Sequence, residues 1–158
     1  MVEFVPTKLD RVRDKTPSKT NAEIDRGIEQ NIRSYAHESD ANLSNRISDL
    51  EKEWDIERIL EMNASSLAFL GTILGAFVNH WFLLIPAFVT VFLFQHAVQG
   101  WCPPLPILRK IGKRTRNEID VEKFAMKALR GDFETLRNIK DRDALAERVI
   151  DAVKAYSG

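Results

Sequence analysis

The sequence predicts an all-α membrane protein, with a two-helix transmembrane hairpin and amphipathic cytoplasmic helices on both sides of it. Three observations predict this. Residues 62–108 are 47 consecutive positions without Asp, Glu, Lys or Arg, in a 158-residue chain that carries 23 acidic and 23 basic residues elsewhere. Five basic residues, Arg109, Lys110, Lys113, Arg114 and Arg116, follow at once with no acid among them. On both flanks apolar residues recur three and four positions apart among charged ones, the period of a helix with one apolar face.

The totals bound the rest. Net charge is +0 and the pI about 6.8, so nothing points to nucleic acid or another strongly charged partner. The single cysteine, Cys102, excludes an intrachain disulfide and a cysteine-rich metal site. Residues 1–20, MVEFVPTKLDRVRDKTPSKT, are charged and punctuated by proline with no apolar core. They read as a disordered arm rather than a secretory signal peptide.

Residues 21–61 form the first set of cytoplasmic helices. Ile24, Ile28, Ile32 and Tyr35 make one amphipathic face. The stretch HESDANLSN breaks it, with Asn42 or Ser44 able to cap a second helix. There Leu43, Ile47, Leu50 and Trp54 recur, and the pattern runs on through Ile59 and Leu60 toward Met62. This stripe can pair with the first helix, with a second copy of the chain or with a membrane surface.

The charge-free run, 62–108, is too long for one spanning helix of about 20 residues and suits two. Helices are expected at 63–78 and 82–99, with the turn at Asn79 and His80. Pro86 then falls near the start of the second helix, where its missing N–H costs least. Trp81 and Trp101 are 20 positions apart, about 30 Å along a helix, which matches the hydrocarbon thickness of a bilayer. Trp54 lies on the Trp101 side, so all three indoles serve as interface anchors. Residues 42–61 hold three basic residues, 109–128 hold seven and the turn holds none. The positive-inside bias therefore makes both termini cytoplasmic. Arg109, Lys110, Lys113, Arg114 and Arg116 are expected to meet anionic lipid headgroups, at about 1 kcal/mol each.

In residues 109–158, Thr115-Arg116-Asn117-Glu118 fits a capping box, and its helix should stop at Gly131. A short helix is expected from Asp132, and a last one over 143–156 with Leu145, Val149, Ala152, Val153 and Tyr156 on one face.

Few residues carry chemistry. Gly71 and Gly75 form a GxxxG, reinforced by Ala68 and Thr72, and such small-residue lines let helices associate closely in lipid. They serve either a dimer or partner seam, which replacement by Leu would abolish, or the chain's own second helix. Gln95, His96 and Gln99 should share hydrogen bonds with Asn63, Ser65 and Ser66, and His96 has the chemistry of an axial ligand to a haem or chlorophyll. Cys102, in GWCPP, is either a buried small hydrophobe or a thiol activated by the cations that follow it. No GxGxxG, P-loop, HExxH or GxSxG is present. No metal site and no cofactor are expected.

Gly100-Trp101-Cys102-Pro103-Pro104-Leu105-Pro106, followed by the basic helix start, resembles the YgaP-like transmembrane domain family over residues 60–112. These are small bacterial inner-membrane modules with two helices and a Cys-Pro after the second, some of them joined to a rhodanese domain. The resemblance implies a bacterial cell inner membrane, multi-pass topology, dimerisation through the helices and a link to sulfur handling. This chain departs from it by lacking the rhodanese domain and by having helical arms. The resulting expectation is a non-catalytic scaffold or accessory subunit, forming a homodimer or part of a larger membrane complex, with membrane lipids as partners. The alternative is a thiol or persulfide relay through Cys102. A channel or transporter is disfavoured, because the two short helices contain no carboxylate or lysine.

Overall fold

In this computed structural model residues 10–134, 139 and 141–157 are described, with 150–157 as backbone. In chain order they form α1 (Arg11–Asp14), α2 (Ser18–Tyr35), α3 (Asp40–Lys52), α4 (Ile56–Phe77), a 3-10 turn (His80–Leu83), α5 (Leu84–Gln99), α6 (Leu105–Lys110), α7 (Arg116–Leu129) and α8 (Arg142–Ser157), with no strand among the described residues. The all-α expectation holds.

Each start and stop has a local cause. Ser39, rather than Asn42 or Ser44, caps α3 by accepting from the Asn42 amide at 3.3 Å. The second amphipathic pattern does not run through as one helix. Asp55 accepts from the Arg58 amide at 2.8 Å and starts a new one. The freed Ile56 N–H then donates to the Arg114 carbonyl at 3.0 Å, so a tertiary bond fixes the break. At the other end Asn79 accepts from the Trp81 amide at 3.0 Å, which begins the 3-10 turn. Pro86 is the third residue of α5, where no intrahelical N–H is lost. Thr115 and Glu118 form the expected capping box, and Gly131, at φ +86°, follows the end of α7.

α4 and α5 pack side by side, α3 lies along α7, and α2 also contacts α7. Two apolar clusters result. Leu43, Ile47 and Leu50 of α3 meet Ile119 and Met126 of α7, with Ile32 and Tyr35 of α2 at the edge. The α3 stripe therefore pairs mainly with α7. At the foot of the α4–α5 hairpin, Val12, Ile56, Leu60, Cys102 and Leu105 form the second cluster, flanked by Trp101 and Leu108.

These clusters revise the expected domain boundaries. Val12 is buried and α1 is helical, so residues 10–20 are packed rather than a disordered arm; residues 1–9 lie outside the described residues. The expected boundary at residue 61 falls inside α4, which continues without interruption from the cluster of its first two turns into the apolar hairpin. The short helix expected from Asp132 falls largely on residues 135–138, which lie outside the described residues, as do the side chains of Ala152, Val153 and Tyr156 in α8.

Above the foot, the hairpin has no further layer among the described residues. Phe69, Phe77, Val78, Phe88, Val91 and Phe94 are each at least 61 % exposed. α4 and α5 contain stretches long and apolar enough to cross a membrane, and none of the α5 window is buried.

Candidate functional site at the foot of the hairpin

Two glutamates sit on the buried face of α7. Thr115, Glu118, Ile119, Glu122 and Met126 share that face at helical spacing, and all five are buried. Glu118 receives Arg109 through both terminal guanidinium nitrogens, at 2.7 and 2.8 Å, and Arg13 at 2.6 Å. Arg109 is 1 % exposed. It also donates to Thr16 Oγ1 at 3.1 Å, Asn21 Oδ1 at 2.7 Å and the Lys113 carbonyl at 3.1 Å, which engages every N–H it has. Glu122, fully buried, receives Arg46 at 2.6 and 2.9 Å, Asn31 at 3.2 Å and Arg114. Arg114 reaches Glu53 at 2.8 Å with its Nε, and Arg13 pairs with Asp25 at 2.8 Å. Four guanidiniums thus meet four carboxylates, with Arg109, Glu118 and Glu122 buried at the centre and Asp25 and Glu53 partly exposed at the rim.

The pairing favours the charged form of two of the arginines. Hydrogen bonding to Asp25, with Glu118 behind it, raises Arg13 above the ordinary guanidinium value against the cost of burial. Burial alone would lower Arg114, but Glu53 and Glu122 overcome it and raise that group too.

The expected five-residue headgroup patch is therefore corrected at two positions. Arg109 and Arg114 turn inward, because the acids that match them follow at 118 and 122 on the next helix. Lys110, Lys113 and Arg116 remain exposed, beside exposed Ile107 and Ile111. Arg116 makes an i,i+4 pair with Asp120 at 3.5 Å.

Cys102 is 4 % exposed in the second cluster. Burial pushes its thiol up, with the Leu105 amide only partly opposing, so it is held away from the thiolate form. Of the activating cations the sequence suggested, Arg109 and Arg114 are engaged with carboxylates, and Lys110 and Lys113 are exposed. Trp101 is half-buried against the same cluster. Trp54 is 40 % exposed under the Arg58 guanidinium, 4.4 Å from its ring centre, and Trp81 is 67 % exposed at the hairpin tip.

Gly71 and Gly75 face inward across the hairpin, whereas Thr72 is exposed. A Cβ at Gly71 would lie 2.7 Å from Pro86 Cδ and 2.9 Å from Ile85 Cβ, and one at Gly75 2.5 Å from Leu83 Cδ2. The chain's own second apolar segment therefore occupies the GxxxG line. Ala68 is half-buried, and the Thr72 hydroxyl donates to the Ala68 carbonyl at 2.8 Å. Asn63 and Ser65 likewise donate to carbonyls of their own helix, those of Ile59 and Met62. The expected interhelical bonds to Gln95, His96 and Gln99 are absent for these two, since a helix carbonyl lies closer than the neighbouring helix.

Gly100 is the residue the sequence reading passed over. Its φ of +72° ends α5, and a Cβ there would lie 2.5 Å from Arg11 Cβ and 2.7 Å from the Arg11 carbonyl oxygen. Only glycine lets α1 close against the hairpin foot. Arg11 completes the contact by donating to the Ala97 carbonyl. A glycine just after a long apolar helix was the available signal.

Between α1, α4, α5 and the start of α7 lies a cleft of about 510 Å³. Arg11, Glu57, Glu61, His96 and Arg116 line it. Glu57 Oε2 and His96 Nδ1 are buried with no hydrogen-bond partner among the described residues. Burial, with Asp55, Asp10 and Glu61 nearby, raises the Glu57 carboxyl above the usual range. Among the described residues no group of three His, Cys, Asp or Glu side chains could hold a metal ion.

The fold and foot define an all-helical chain whose two long apolar helices stand on an ion-paired helical base. Comparison with protein-family models, with curated proteins and with solved structures finds no match to this chain.

Proposed function

We propose that the protein is a small, non-catalytic integral membrane scaffold. Its hairpin crosses the bilayer, with both termini cytoplasmic, and its helical base is presented for self-association or for docking on a larger membrane complex. One observation carries this reading. The hairpin leaves its large apolar side chains outward along its whole length, and only hydrocarbon or another apolar partner accepts such a surface without a large hydration cost. Lys110, Lys113 and Arg116, with exposed Ile107 and Ile111 near them in sequence, suit a headgroup layer. The bacterial inner membrane is the location that the Cys102-Pro103 resemblance supplies. The rigid ion-paired base has the character of a presenting surface rather than a reaction site. A persulfide relay gains no support from Cys102, whose thiol is buried and whose neighbours are apolar.

Gentle detergent extraction of the full chain from its native membrane, followed by sizing and mass spectrometry, tests the scaffold role. The expected result is a homo-oligomer or a stoichiometric complex with a second membrane protein. A lone monomer at the protein's native abundance contradicts it.

A further inference from the structure

The polar cleft does not stand alone. An apolar groove of about 210 Å³ adjoins it, lined by Ala64, Leu67, Val89 and Phe92, and both share Leu60, Leu93 and His96. We propose that cleft and groove together bind one phospholipid with a primary-amine headgroup, of the phosphatidylethanolamine type. This rests on the membrane-spanning reading above but adds a specific ligand and site, which shares Arg116 with the exposed basic set and draws Arg11, Glu57, Glu61 and His96 from α1, α4 and α5.

The chemistry of the lining selects the ligand. Glu57 and Glu61 lie one turn apart on α4, and Arg11 and Arg116 bring guanidiniums from α1 and α7. A zwitterion matches both signs, its ammonium toward the carboxylates and its phosphate toward the arginines. An anionic lipid leaves the carboxylates unmatched. A choline headgroup carries the charge but no N–H, so it cannot donate to Glu57 Oε2. The unpartnered Glu57 Oε2 and His96 Nδ1 both border this cleft, where a buried polar atom needs a partner. The cleft is large enough for a headgroup with bridging waters. Depth agrees as well. Glu61 is the last charge before the apolar run, so the cleft lies at headgroup level, and the groove leads into the apolar hairpin, where an acyl chain belongs.

Native mass spectrometry on the full chain in detergent tests this, with ethanolamine, glycerol and choline phospholipids of one acyl composition supplied together. The expected result is one ethanolamine lipid retained, about tenfold ahead of the choline lipid, the worth of a charge-assisted hydrogen bond. Glu57→Gln should remove most of that preference, and Val89→Phe, which fills the groove, should weaken all three lipids alike. Equal or better retention of the glycerol or choline lipid by the unaltered protein overturns the proposal without relying on any variant's folding. So does competition by soluble glycerophosphoethanolamine as strong as that of the whole lipid, which would leave the groove without a role. A chain that sediments with membranes yet shows no selectivity removes this site and leaves the scaffold reading intact. A chain that does not sediment removes both.

Discussion

Arg109 shows how far a side chain's role depends on residues distant in sequence. Beside Lys110 and Lys113 it reads as one more membrane-facing cation. In the fold all its donors are engaged by Glu118, Thr16, Asn21 and the Lys113 carbonyl. Such a pair adds little over well-packed apolar residues, but removing one member leaves a buried charge uncompensated. Arg109→Ala should therefore destabilise the helical base by about 3–5 kcal/mol, whereas exposed Lys113→Ala should change it by less than about 0.5 kcal/mol. Urea titration of both variants in detergent, followed by circular dichroism, checks the contrast, and equal effects would contradict the network. The capping role of Glu118 was legible from Thr115 three residues before it, but its ion pair was not. Glu122, on the same stripe as Ile119 and Met126, was the available clue. A charge at an apolar-face position implies a partner, and the partners, Arg46 on α3 and Arg114 before α7, are far apart in sequence.

Helix α4 carries the same lesson at the scale of the element. Its apolar upper half was plain from hydropathy, and its end and the turn at Asn79 were placed to within a residue or two. Its start was not, because Asp55 looks like one more charge within a continuing pattern until the Ile56 amide is seen to bond to Arg114. The GxxxG line left two partners open, and the close approach of Gly71 to Pro86 and Ile85 identifies the chain's own second apolar segment. Gly71→Leu should then overpack the hairpin, costing about 1–3 kcal/mol, and should widen the distance between spin labels placed at exposed Phe69 and Phe88. Any crosslinked dimer should persist at unchanged yield. Loss of the dimer with the label distance unaltered would contradict this assignment.

The whole molecule divides charge and apolar surface between its two ends. The 47-residue silent run folds into a hairpin with little interior of its own, while the flanking segments converge beneath it. α1 closes on the foot through Gly100, and α2, α3 and α7 gather around two buried glutamates. Base and hairpin are joined rigidly, since α4 passes through both and Cys102, Trp101 and Leu105 pack against its first turns. A partner docking on the base would be held at a fixed height above a bilayer, and this is the physical content of the scaffold proposal. Alkaline carbonate extraction of membranes from cells making the full chain tests it most directly. The protein should stay in the membrane pellet and leave it only with detergent; recovery as a folded, monodisperse species in the detergent-free supernatant would contradict the account.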